Sequence, residues 1–275
     1  MRCAWKELLG ILPPGIRSEV DTAGKETLRE LRLRINAPPE LVLSGGQHWL
    51  KGKTNQEDLN FIVNTATRYS PWASASAAQG YITAAGGHRI GLCGDVVCKD
   101  GLVTGMRTVR SVCIRVARDF EGIGKAAAAL DSSLLILGAP GTGKTTLLRD
   151  LIRQLARYRH VAVVDERCEL FPEGFETGKL QDTLSGCSKI TGIEMMLRTM
   201  SPEYIAVDEI TAEEDSLALA RAANCGVGLL ATAHAGNLED FAVRSVYRHL
   251  RERNLFQTVL VLDRDNTFTV ERMNV

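Results

Sequence analysis

The sequence predicts an α/β protein in which a parallel sheet flanked by helices, residues 121–275, follows a smaller α+β domain, residues 1–120. Three observations carry that expectation. The apolar run Leu134 to Leu137 stops at a glycine-rich turn and passes at once into Leu147, Leu148, Leu151 and Leu155 at helical spacing, which reads as strand, loop and helix. Beyond it apolar strands and amphipathic helices alternate, the pattern of a parallel sheet with helices on its faces. Before it lie short helices, a hairpin and a run of strands punctuated by glycine, and the stretch Phe120 to Gly124 reads as the linker.

Composition narrows the function classes. Lys plus Arg and Asp plus Glu are 33 each in a chain of 275 residues, so no global positive field draws nucleic acid or an anionic membrane to it. Aromatic and basic residues do not interleave as in a single-strand channel, and no nucleic-acid partner is expected. The seven cysteines are scattered without a C-x-x-C pair, which reads as reduced, cytosolic thiols rather than zinc ligands or a redox dithiol. The N-terminal apolar run is too short and too charged for a signal peptide, and no stretch approaches the ~20 apolar residues of a spanning helix. A soluble protein with at most peripheral membrane association is expected.

In chain order, a helix is expected around Trp5 to Leu12, broken by Pro13 and Pro14. A strand follows at Glu30 to Ile35, where Leu31, Leu33 and Ile35 alternate with arginines. Glu40 to Leu43 and Gln47 to Leu50 read as a hairpin, and Leu59, Ile62, Val63 and Ala66 mark an amphipathic helix. Tyr81 to Val116 reads as a meander of four strands, with LVTGM and SVCIRVA as separate ones. An alanine-rich helix, Lys125 to Leu130, leads to the glycine-rich loop. After the loop helix come a strand at His160 to Val164, a helix over Ile193 to Met200, and a strand at Tyr204 to Val207. Thr211 with Glu214 suggests a capping box for the next helix, Gly226 its end, and Gly228 to Thr232 a further strand. Thr258 to Asp263 and Thr267 to Arg272 read as a terminal hairpin around Asp265 and Asn266.

The loop Gly138, Ala139, Pro140, Gly141, Thr142, Gly143, Lys144, Thr145, Thr146 fits G-x-x-x-x-G-K-[ST], the phosphate-binding loop. Its glycines let backbone N–H groups wrap phosphates, Lys144 brings a flexible positive charge to the β and γ phosphates, and Thr145 offers a hydroxyl to Mg²⁺. The helix N-terminus adds partial positive charge. In YIAVDEI, apolar residues deliver Asp208 and Glu209 to a strand's C-terminal end, where parallel sheets place ligands. Asp208 suits the Mg²⁺ shell, and Glu209 suits polarising a water for in-line attack on the γ-phosphate. Asp165 and Glu166 end another strand; they read either as extra water-orienting or metal-shell carboxylates or as a solvated turn paired with Arg167. Thr232 and His234 end the strand GLLATAHA and suit sensing of the γ-phosphate; His48, His160 and His249 read as structural. Arg149, Arg153 and Arg157 form a stripe opposite the leucine face of the loop helix, which reads either as a solvated face or as a surface for an acidic partner or a neighbouring subunit.

The runs LRELRLRINAPPELV, GYITAAGGHRIGLCGDVV, GAPGTGKTT, VVDERCEL and LQDTLSGCSKITGIEMMLRTMSPEYIAVDEITAEEDSLALARAANCGVGLLATAHA together resemble the stage III sporulation protein AA family, itself similar to the motor ATPases of type II and type IV secretion systems. The resemblance implies a RecA-like P-loop NTPase domain and an ATPase using ATP and Mg²⁺. It implies a homo-oligomer, a hexamer, that is cytoplasmic and peripheral to the mother-cell face of the forespore membrane. There it would be docked on membrane proteins of the same sporulation operon and would energise a channel between mother cell and forespore. It also matches Asp165 and Glu166 to the acidic box, Asp208 and Glu209 to Walker B, and Thr232 to Ala235 to the histidine box. Arg89 and Arg115 resemble arginines that secretion ATPases direct at the nucleotide. Thr211 and Ala212 stand where the pattern leads one to expect an arginine after the Walker B glutamate. A P-loop kinase and a nucleotide-dependent scaffold with little hydrolysis are the alternatives.

Overall fold

The computed structural model describes residues 3–68, 80–172, 174–263 and 267–273. The chain divides into two compact units, one of Met1–Asp119 with Pro172–Phe175 and one of Phe120–Phe171 with Glu176–Val275. Among the described residues no helix is long and apolar enough to cross a membrane.

The first unit is an antiparallel sheet of β1 (Leu28–Arg34), β2 (Glu40–Leu43), β3 (Gly46–Trp49), β4 (Tyr81–Thr83), β5 (Arg89–Lys99) and β6 (Leu102–Arg115), in the spatial order β3-β2-β1-β6-β5-β4. Alternation in β1 turns Leu31 and Leu33 to a core shared with Leu8, Ile62, Ile90 and Ile114, so Glu30, Arg32 and Arg34 take the other face. Helices α1 (Trp5–Ile11), α2 (Pro14–Gly24) and α3 (Gln56–Ala66) supply the rest of that core. The proline pair does more than end α1. Pro13 is the N-cap of α2 and Pro14 its first residue, where a missing N–H costs nothing and the fixed φ favours the helix. The two strands expected in LVTGM and SVCIRVA are one, because β6 pairs with β5 along its whole length while irregularities in β5 at Cys93/Gly94, Asp95/Val96 and Val97/Cys98 absorb the mismatch.

The second unit holds a seven-stranded sheet of β7 (Leu134–Leu137), β8 (Val161–Asp165), β9 (Gln181–Ser185), β10 (Tyr204–Ile210), β11 (Gly228–Ala233), β12 (Thr258–Leu262) and β13 (Phe268–Arg272), ordered β13-β12-β7-β11-β10-β8-β9. Every pairing is parallel except that of β12 with the edge strand β13. The turn of this terminal hairpin lies outside the described residues. Central strands buried on both faces need continuous apolar runs, and LLIL and VAVV supply them. Flanking the sheet are α4 (Lys125–Ala128), α5 (Lys144–Leu155), α6 (Lys189–Thr199), α7 (Glu213–Asn224), α8 (Leu238–Val243) and α9 (Arg248–Glu252). Asp215 rather than Glu214 caps α7: its carboxylate accepts from the N–H groups of Thr211 and Ala212 at 3.0 and 3.2 Å. The helix begins one residue later than Thr211 suggests, with Ala212 as N-cap, which moves the third helical position to Asp215.

The arginine stripe on α5 is not a solvated face. Arg149 and Arg153 are only 6% and 5% exposed, because the connection from β8 to β9 covers them. Arg149 donates to the carbonyls of Leu170 and Glu169, and Arg153 to that of Glu176 and to the buried carboxylate of Asp150. Loop carbonyls with no strand partner supply these guanidinium groups with acceptors. Arg157 alone of the three is exposed, 3.8 Å from Glu121.

Candidate active site

The loop Gly138 to Thr146 joins β7, in the middle of the sheet, to α5. A Cβ on Gly138 would stand 2.6 Å from Thr142 Oγ1 and 3.1 Å from the carbonyl of Leu262, so only glycine fits. Gly141 and Gly143 have φ of 79° and 94°, the left-handed region that other residues enter at a cost. Lys144 is 6% exposed, and its ammonium donates to the carbonyls of Gly138 and Ala139 at 2.8 and 2.9 Å and to Nδ1 of His234 at 3.0 Å. Burial pulls its pKa below the usual 10.5, while Asp208 and Glu209 oppose that shift. Its three donors are thus engaged by weak acceptors that an anionic phosphate can displace.

Two strands away, Asp208 and Glu209 occupy an irregularity in the pairing of β10 with β11, between Val207 and Ile210. Successive strand residues point to opposite faces, and a bulge is the usual way to re-aim one of them. Here Glu209 has φ 54°, an uncommon conformation for a non-glycine residue, and its N–H donates to Thr232 Oγ1 at 2.7 Å. Asp208 accepts from Thr145 Oγ1 at 2.7 Å and from Thr232 Oγ1 at 2.5 Å. Glu209 is bonded to Nε2 of His234 at 3.0 Å and, through its other oxygen, to the guanidinium of Arg167. A lysine ammonium only donates, so Nδ1 of His234 accepts and Nε2 carries the proton given to Glu209. The tautomer follows from its neighbours. An unbroken chain Lys144–His234–Glu209–Arg167 therefore joins the loop to the acidic strand end, with Thr145–Asp208–Thr232 beside it.

The second acidic pair divides. Asp165 is 2% exposed and accepts from the N–H groups of Glu169, Leu170 and Phe171 at 2.9, 2.9 and 3.0 Å, closing the turn after β8. Burial raises its pKa, and those N–H bonds pull the other way. Glu166 takes the ammonium of Lys189 at 2.6 Å. In the first unit Arg89 and Arg115 stand opposite each other in the β5–β6 register; Arg89 lies over the Tyr81 ring at 4.2 Å, and Arg115 Nε is 3.7 Å from Glu30. Two residues escaped the sequence reading. Lys189 and Asp215 meet their partners only through the fold, and no local pattern announces such contacts.

Among the described residues, no group of three or more His, Cys, Asp or Glu could hold a metal ion. Thr145 and Asp208 are nonetheless hard oxygen donors beside a phosphate-binding loop, the donor set suited to Mg²⁺, which keeps much of its shell from water and phosphate. They fit that ion.

Solved structures with this fold include the ATPase DotB of Legionella pneumophila, with a TM-score of 0.58 at 17% identity over 95% of this chain and 80% of that one. The pilus retraction motor PilT with bound ADP gives 0.60 at 17% identity over 89% of this chain and 76% of that one. The RecA-like fold of those two proteins is thus the fold of this chain. The Stage III sporulation protein AA of Bacillus subtilis (strain 168) is 36% identical over 94% of this chain and 91% of its own length. Residues 5–271 match the family described as Sporulation stage III, protein AA, and the chain belongs to that family.

Proposed function

We propose that the protein is a Mg²⁺-dependent ATP hydrolase of the secretion-motor type, working as a homohexamer on the mother-cell face of the forespore membrane with membrane proteins of its own operon. The observation that carries the hydrolase reading is the chain Lys144–His234–Glu209, which links a phosphate-binding lysine to a carboxylate through one imidazole. Family membership and the motor fold support the rest.

In this reading the β and γ phosphates draw Lys144 off the carbonyls of Gly138 and Ala139 and away from His234. The N–H groups of the loop and the start of α5 take the remaining phosphate oxygens. Released at Nδ1, His234 keeps its Nε2–H on Glu209 and so holds the carboxylate in place. Glu209 then accepts a proton from the attacking water, a step that requires Arg167 to leave it. Mg²⁺, when bound, offsets charge on the β and γ oxygens, and Thr145 and Asp208 are the residues suited to hold it. Arg89 and Arg115 are proposed to reach the nucleotide on closure.

Glu209→Gln is expected to keep ATP affinity and to lose turnover by at least about a hundredfold, since the amide fills the same space but cannot act as a base. Lys144→Ala is expected to lose binding as well. Binding by nucleotide titration and phosphate release by a coupled assay separate the two; persistent turnover in Glu209→Gln would remove it from the chemistry. A scaffold that binds ATP with little hydrolysis is favoured by one observation, the Arg167 guanidinium resting on Glu209. Wild-type protein with full affinity and no phosphate release would establish it instead.

A further inference from the structure

A lysine ammonium lies buried where helix electrostatics disfavour it. Lys189 is the first residue of α6, at the end of the helix where a positive charge is repelled, and it is 4% exposed. What holds it there is a pair of carboxylates from two other elements. Its Nζ is 2.6 Å from Glu166 Oε2 and 3.4 Å from Asp215 Oδ2. Glu166 follows the last residue of β8. Asp215 lies in the first turn of α7, and its Oδ2 is the atom that accepts from Thr211 and Ala212, the residues that leave β10 just after Glu209. Since β8 and β10 are neighbours in the sheet, one buried ammonium ties together the two loops at their C-terminal ends.

The tie bears on Glu209. That residue keeps a left-handed backbone, φ 54°, which a non-glycine residue does not hold unaided. On its N-terminal side Thr232 takes its N–H, and on its C-terminal side the chain is fixed by Asp215, which Lys189 in turn fixes. We propose that Lys189 is a positioning residue for hydrolysis, acting through Asp215 and Glu166 to hold the turn that aims Glu209. Glu166 then belongs to the positioning group rather than to the reacting atoms. This inference rests on the hydrolase reading for its effect on rate, but its structural half stands without it.

The test uses the full chain. Lys189→Met leaves the helix intact and removes the charge. It is expected to lower kcat for ATP by about 10- to 100-fold, the usual effect of losing a group that orients a reacting one, with KM changed by less than about threefold. Hydrogen exchange is expected to show lost protection at the amides of Thr211 and Ala212 in the free protein, with the amides of β7 and β11 unchanged. Asp215→Asn, which keeps the helix cap's shape and weakens the link to Lys189, is expected to give the same split, and the two losses are expected not to add. If Lys189→Met does not fold, Asp215→Asn and Glu166→Gln carry the test by the same two readouts. Wild-type kcat in folded Lys189→Met with protected Thr211 and Ala212 amides overturns the proposal, as does a uniform rise in exchange across the sheet. Failure of wild-type protein to release phosphate overturns the hydrolase reading alone; the exchange pattern still decides the tie.

Discussion

Lys144 occupies a shielded position in the free protein, held by two carbonyls and an imidazole and with its pKa lowered by burial. Phosphates favour the charged form, so binding ATP raises that pKa. Affinity is then highest where the free protein already has Lys144 protonated, and it falls as pH rises through the lowered value, starting below the usual 10.5. Calorimetry in two buffers of different ionisation enthalpy is expected to show proton uptake on binding that grows as pH rises toward 10.5, and Lys144→Arg to abolish it, because a guanidinium stays charged throughout. Equal heats in both buffers across that range would mean that the lysine does not change its environment on binding. The loop was legible in the sequence because each step of its mechanism dictates a residue type: Gly138 for the missing Cβ, Lys144 for charge, Thr145 for a hydroxyl.

At the scale of elements, the turn from β4 to β5 is closed by His88, which is fully buried; its Nε2 donates to the carbonyl of Ala4 at 2.9 Å, and its Nδ1 accepts from the N–H of Ala117 at 3.2 Å. Burial lowers its pKa from 6.5. The unfolded chain therefore binds a proton that the folded unit refuses, and stability falls as pH drops below 6.5 toward the folded value, with no contribution at neutral pH and above. Thermal melts between pH 5 and 7 are expected to show this loss in the first unit, and a flatter profile in His88→Gln, whose amide can make both bonds without titrating. An unchanged slope in the variant would assign the acid sensitivity elsewhere. The sequence announces neither His88 nor the burial of Arg149 and Arg153. Helical spacing shows which residues of α5 share a face, but not that the β8–β9 connection folds back over the basic one. Long apolar strands such as β7 and β8 were easier, since burial on both faces leaves a continuous apolar run. The β5–β6 pair shows the converse: residues 107–110, between LVTGM and SVCIRVA, read as a break, yet β6 continues through them because β5 supplies a partner along the entire strand.

For the whole molecule the proposal is that hydrolysis depends on assembly and on the first unit. Phosphoryl transfer gathers charge at the γ-phosphate, and an arginine brought to it by closure is worth ~10³ or more in rate. Arg115 is the sharper candidate, its side chain 67% exposed and only loosely paired with Glu30 at 3.7 Å, so little is lost when it moves. Arg115→Ala in the full chain is expected to bind ATP normally and turn it over poorly, and the fragment from Lys125 onward, if it folds, to behave alike. Near wild-type kcat in Arg115→Ala would leave that arginine a surface residue of β6.

Phosphate release from ATP, measured per protomer across a range of protein concentrations with Lys144→Ala in parallel, tests the central claim most directly. The account predicts turnover that rises with concentration to a plateau as protomers assemble, and none in the variant. Activity independent of concentration would contradict assembly, and phosphate release that is absent at every concentration, or equal in Lys144→Ala, would contradict the ATPase itself.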